Sequence, residues 1–183
     1  MKIVIVSAME KEVLYLKELM KKNNSLEIKK IHHYEFIIGK LYNHDVIITV
    51  SGMGKVRAGM LTSVIFDNFQ NIDFFINNGI SGGVSRYTKP GTCVIGCNYS
   101  FGDVDVTFDG VSKYGQLDYL PRTFTGDKHL IDLLKKENIE DVIFGDILTG
   151  DKFYTDFDET ENIINKYFSD LKVCAFDMES TAF

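Results

Sequence analysis

Three carboxylates and two glycine-rich turns are the groups in this chain best placed to do chemistry. Glu12 follows the apolar run Lys2–Ser7, and Asp177 and Glu179 follow the apolar run 173–176. One carboxylate that activates water and another that holds a polyol suit hydrolysis of a sugar–base bond. Its oxocarbenium-like transition state is stabilised by a nearby negative charge. A plainer reading also applies, because an acid in the first turn of a helix is stabilised by the helix dipole. That reading covers Glu12 and Glu179 alike.

The glycines lie in Ser51-Gly52-Met53-Gly54-Lys55 and Gly79-Ile80-Ser81-Gly82-Gly83. Each segment follows a strand-like run, as do Ser7–Glu12 and Asp177–Glu179, and loops at the carboxyl ends of strands are where α/β folds place ligands. Singly, such glycines only permit a sharp turn into a helix; side by side in one sheet, the four strand ends would form a pocket. Gly52-Met53-Gly54-Lys55 is not a triphosphate loop, because it lacks the full pattern and Val56 stands where a hydroxyl is required. No dinucleotide fingerprint sits in a strand–helix setting.

The elements that must position these groups follow from periodicity. Residues 2–7 form a β-branched run typical of a buried central strand. A helix is expected over 12–22, strands near 26–31, 34–41 and 45–50, with a turn at Tyr42-Asn43-His44, and a helix over 55–69 carrying Val56, Met60, Leu61 and Val64. Further strands are expected at 73–77, 92–96, 98–108, 142–148 and 173–177. Helices are expected at 127–137 and from Asp158 to Phe168, where Asp158 and Glu161 suggest a capping box. A further helix is expected to begin at Met178-Glu179. The pattern predicts one mixed α/β domain over 1–183: a central twisted sheet flanked by helices in three layers.

Composition narrows the partners. The chain has 183 residues, 45% hydrophobic and 25% charged, with net charge −6, which disfavours nucleic acid or an anionic membrane as partner. No apolar run is long enough for a transmembrane helix, and the charged residues soon after Ser7 exclude a signal peptide. Cys93 and Cys97 would lie roughly 13 Å apart on one strand at ~3.3 Å per residue, too far for a disulfide. The four histidines show no metal-ligand spacing with the three cysteines. A reducing cytoplasm is expected, with no cofactor and no metal.

Several motifs then occur in a defined order: Ala8-Met9-Glu10-x-Glu12, Ser51-Gly52-Met53-Gly54-Lys55-Val56, Asn77-x-Gly79-x-x-Gly82-Gly83, Asp105-Val106-Thr107, Tyr114-Gly115-Gln116-Leu117, Gly150-Asp151-x-Phe153 and Met178-Glu179-x-x-Ala182. This ordered set, spanning the whole chain, resembles the 5′-methylthioadenosine/S-adenosylhomocysteine nucleosidases of the nucleoside phosphorylase superfamily. The resemblance implies a hydrolase of adenine thionucleosides serving methionine salvage, in a homodimer. It makes Glu12 the base that activates water and Glu179 the acceptor of the ribose hydroxyls. Met178 would pack on the ribose, Phe153 would stack on adenine, and the Tyr154 backbone would read the edge of the base. Ala8, Met9 and Met53 would line the pocket, the two methionines against the alkylthio group, with Ser81 and Gly82 close to substrate. Phe108 is the counterpart of an aromatic that reaches the partner subunit's pocket, in a segment one residue longer than usual.

Two departures stand out. Ile80 replaces a small or hydroxyl residue, with Ser81 the nearest hydroxyl. The family's Ser-Asp pair, whose aspartate protonates the leaving adenine, has no counterpart among residues 1–183. The expectation is therefore of a carboxyl-terminally truncated form with impaired turnover. A phosphorylase of the same fold, using Arg57 and Arg86 for phosphate, and a non-catalytic nucleoside-binding or dimerising protein are the alternatives.

Overall fold

The computed structural model describes residues 1–23 and 26–183. They cluster into two compact units, Met1–Ile80 with Ala182–Phe183, and Ser81–Thr181.

The first unit contains β1 (Lys2–Ser7), α1 (Glu10–Asn23), β2 (Glu27–Ile31), β3 (Tyr34–Leu41), β4 (His44–Val50), α2 (Lys55–Asn68) and β5 (Phe74–Asn77). Its sheet runs β2-β3-β4-β1-β5. β1 is parallel to both β4 and β5, while β2, β3 and β4 are antiparallel. Successive side chains of a strand face opposite sides, and here both sides are covered. Val4 and Val6 pack with Leu61 and Ile65 of α2, whereas Ile5 packs with Val13 and Met20 of α1. This two-sided burial explains the unbroken β-branched run of β1. Phe183 joins the α2 side, its ring 5.4 Å from that of Phe75.

Half of the stripe expected on α2 faces the core, since Leu61 is buried and Val64 packs against the same cluster. Ala58, Leu61 and Ile65 are buried, while Val56 and Met60 face solvent. Both sets have helical spacing, and periodicity alone does not distinguish two apolar faces of one helix.

The second unit contains β6 (Gly82–Gly83), β7 (Cys93–Phe101), β8 (Phe124–Thr125), α3 (Lys128–Glu137), β9 (Val142–Thr149), α4 (Phe157–Tyr167) and β10 (Val173–Asp177). Its sheet order is β6-β10-β9-β7-β8. β7, β9 and β10 are parallel, with β6 and β8 added antiparallel at the edges. Leu148, Val173 and Phe176 pack with Ile164 of α4 and with Phe168. The expected mixed sheet flanked by helices is present, its strands shared between two five-stranded sheets.

Four local expectations are corrected. The two strands 92–96 and 98–108 are one, β7, which continues past Gly96 through a bulge and ends at Phe101. Beyond it, Asp105 takes the Thr107 N–H and hydroxyl, and Asp109 takes the Val111 and Ser112 N–H groups. Such side-chain acceptors compete with a strand ladder. The cap of α4 is Asp156 rather than Asp158: its Oδ1 accepts from Asp158 N at 2.8 Å and Glu159 N at 3.2 Å. Gly82–Gly83 is a short strand on β10 rather than only a turn. Finally, the helix expected at Met178-Glu179 is a single 3-10 turn over Ser180–Ala182.

Candidate active site

In the first unit, β4, β1 and β5 end together: Ser7 pairs with Val50, and Val6 with Asn77. Three of the four noted strand ends therefore lie side by side. The Ser51 N–H donates to Ser7 O at 2.9 Å and the Asn78 N–H to Val6 O at 2.8 Å, tying the outgoing loops together. Asn78 Nδ2 donates to Ser7 Oγ and to the Glu12 carbonyl oxygen, both at 3.2 Å. Asn78 is a site-shaping residue that sequence reading missed, because an asparagine beside a glycine reads first as turn chemistry.

Glu12 sits in the first turn of α1, and its carboxylate is held from two sides by backbone. Oε2 accepts from Met9 N at 2.8 Å, the reach-back half of a capping box. Oε1 accepts from Ile80 N at 3.0 Å, on the loop after β5. Gly79 leaves room for that approach, because a Cβ there would lie 3.1 Å from Oε1 and push the carboxylate aside. Each oxygen retains a further lone pair, so the oriented carboxylate can still take a proton from water. Ile80 thus serves through its N–H, which any non-proline residue supplies, while its side chain is exposed. Ala8 and Met9 are half-buried beside Glu12, and Met53 is exposed on the loop before α2. That loop turns through Gly54, whose φ of 98° suits a residue without Cβ.

In the second unit, β10 delivers Asp177, Met178 and Glu179 at its carboxyl end. Asp177 organises the turn: Oδ1 accepts from Thr149 Oγ1 at 2.6 Å, and Oδ2 accepts from both the N–H and the hydroxyl of Ser180. Burial pushes the Asp177 carboxyl above its usual range, against these hydrogen bonds, which pull it down. Glu179 is buried, and its Oε2 accepts from Met178 N at 3.3 Å. Met178 is half-buried.

Phe153 and Tyr154 follow β9. Phe153 is exposed, whereas the Tyr154 ring lies 4.9 Å from that of Phe176. Burial, reinforced by Tyr114, Asp103 and Glu159, pushes the Tyr154 hydroxyl up to about 12. Ser81 and Gly82 are exposed, with Gly82 paired to Phe176. Phe108 is 90% exposed in the 3-10 turn Thr107–Asp109. Among the described residues, no cluster of His, Cys, Asp or Glu could hold a metal ion, and no helix is long and apolar enough to cross a membrane.

The Phosphorylase superfamily model matches residues 2–183. The chain belongs to that superfamily. Its similarity is to one branch in particular. It is 36% identical over 185 aligned positions to the 5′-methylthioadenosine/S-adenosylhomocysteine nucleosidase of Buchnera aphidicola subsp. Schizaphis graminum, covering 100% of this chain and 75% of that protein. The Streptococcus pneumoniae nucleosidase in complex with 8-aminoadenine superposes with TM-score 0.89 at 32% identity, over 100% of this chain and 77% of that one. The enzyme of Colwellia psychrerythraea 34H, in complex with adenine, gives TM-score 0.87 at 33% identity, over 100% and 74%.

Proposed function

We propose that the protein hydrolyses the N-glycosidic bond of 5′-methylthioadenosine and S-adenosylhomocysteine, releasing adenine and the 5′-thioribose product. The observation that carries this reading is the Glu12 carboxylate, fixed by the Met9 and Ile80 amides yet able to accept a proton. Water attacks the anomeric carbon and gives its proton to Glu12. The electron pair of the breaking carbon–nitrogen bond passes to adenine, which leaves on taking up a proton. Glu179, a buried two-oxygen acceptor, holds the ribose 2′ and 3′ hydroxyls.

Met178 packs on the ribose, Phe153 stacks on the base and the Tyr154 backbone reads its edge. Ala8, Met9 and Met53 meet the alkylthio group, which polarizable thioethers suit, and Ser81 and Gly82 lie close to substrate. Incubation with methylthioadenosine in phosphate-free buffer tests the reading through adenine release. Release that requires phosphate would replace it with a phosphorylase. That alternative loses one of its two arginines, because Arg86 is bonded to Glu161 and Asn165.

The working form is a homodimer in the cytoplasm that serves methionine salvage, with Phe108 reaching the partner's pocket. Supporting the dimer are Val56 and Met60, one helical turn apart and 72% and 55% exposed on α2. An exposed apolar pair on one helix face is what a partner subunit would cover.

A further inference from the structure

β9 is flanked by two bulges that meet at one of its residues. On β7, Gly96 pairs with Gly145 and Asn98 with Asp146, leaving Cys97 as an extra residue. On β10, Val173 pairs with Asp146 and Ala175 with Ile147, leaving Cys174 as an extra residue. Asp146 is buried, and its carboxylate reaches to both sides. Oδ1 accepts from Asn98 Nδ2 at 2.7 Å, and Oδ2 accepts from Lys172 N at 2.8 Å, where β10 begins. The Asp146 N–H donates in return to Lys172 O at 2.8 Å. Gly145 makes room, because a Cβ there would collide with the Cys174 side chain.

These bulges set the level at which the strands end. Beyond them, Thr149 pairs with Phe101 on one side and Asp177 on the other. Thr149 O accepts from Gly102 N at 2.7 Å, Gly150 N donates to Asp177 O at 3.0 Å, and Thr149 Oγ1 donates to Asp177 Oδ1. Without the extra residue in β10, Phe176 would stand opposite Thr149. Successive side chains alternate faces, so a one-residue slip would also turn Asp177 away.

We infer that Asp146 is a positioning residue: one buried carboxylate that holds both bulges and so sets where β10 delivers Asp177 and Glu179. That Glu179 then meets a ribose rests on the function proposed above; the register claim does not.

Asp146→Leu removes both acceptors, whereas Asp146→Asn keeps an oxygen for Lys172 N and an N–H for Asn98, whose amide need only turn over. Hydrogen exchange at Ala175, Phe176 and Asp177 should accelerate about tenfold or more in D146L, as expected when the Asn98 and Lys172 donors lose their buried acceptor. The KM for methylthioadenosine should rise by more than kcat falls. D146N should restore both towards wild type. Wild-type exchange in D146L, or D146N as damaging as D146L, would overturn the inference. Should D146L not fold, Asn98→Ala carries the test: faster exchange confined to Tyr99–Phe101 supports the pin, and uniform loss across the sheet contradicts it. If wild type releases no adenine, the proposed reaction fails while the exchange measurements still decide the register.

Discussion

Glu12 caps α1 through Met9 and, in the proposed reaction, takes a proton from water with the same carboxylate. Glu12→Gln separates these roles, because glutamine also serves at this position of a capping box but is no base. Turnover should fall by about 10²–10⁴-fold with the melting temperature nearly unchanged, as kinetics and calorimetry would show. An acid shortly after a β-branched strand was legible as chemistry in the sequence. The clamp from Ile80 was not, because a backbone N–H leaves no residue signature.

Asp177 has the opposite electrostatics from a surface carboxylate. Burial raises its pKa above the ordinary aspartate value, so between the unfolded and folded values the folded state holds a proton that the unfolded chain has released. The stability this contributes is fully present below the unfolded value and is lost as pH rises through the folded one. Asp177→Asn does not titrate. Its stability relative to wild type should therefore rise with pH from the ordinary aspartate value up to the raised folded one and then level off, which urea titrations at several pH values would reveal.

At the scale of elements, the caps and bulges decide what the apolar pattern leaves open. Helix α1, helix α3 and strands β1, β3, β4, β9 and β10 follow directly from periodicity, since each buries one continuous face or run. Of the stripe expected on α2, Leu61 and Val64 face the core while Val56 and Met60 do not, and all four are apolar enough that composition does not separate them. The start of α4 was misplaced because Asp156, Asp158 and Glu159 are all acceptable acids. Only the geometry shows that the Asp156 carboxylate meets two N–H groups. Asp156→Ala should cost about 1 kcal/mol, read as a lower urea midpoint at constant slope. β7 shows the same limit: Cys97 gives no sign in the sequence that it is an extra residue, since a bulge is a property of two strands at once.

At the scale of the whole molecule, an ordered set of weak motifs points to the superfamily more firmly than any one residue does. Each motif is a turn that many folds use; their succession along one chain is not. The proposed homodimer belongs to this scale. Placing charges on the α2 face in a Val56→Glu, Met60→Glu double variant should yield a folded monomer by light scattering. A dimer that survives both charges would place the partner surface elsewhere.

Adenine release from methylthioadenosine, in phosphate-free buffer, by the protein expressed from its own gene decides whether the chain is a nucleosidase. Hydrolysis with Glu12 as base predicts one adenine per thioribose formed, no dependence on phosphate, and a loss of about 100-fold or more in Glu12→Gln. No adenine release, release only with phosphate, or a Glu12→Gln variant as active as wild type would contradict it.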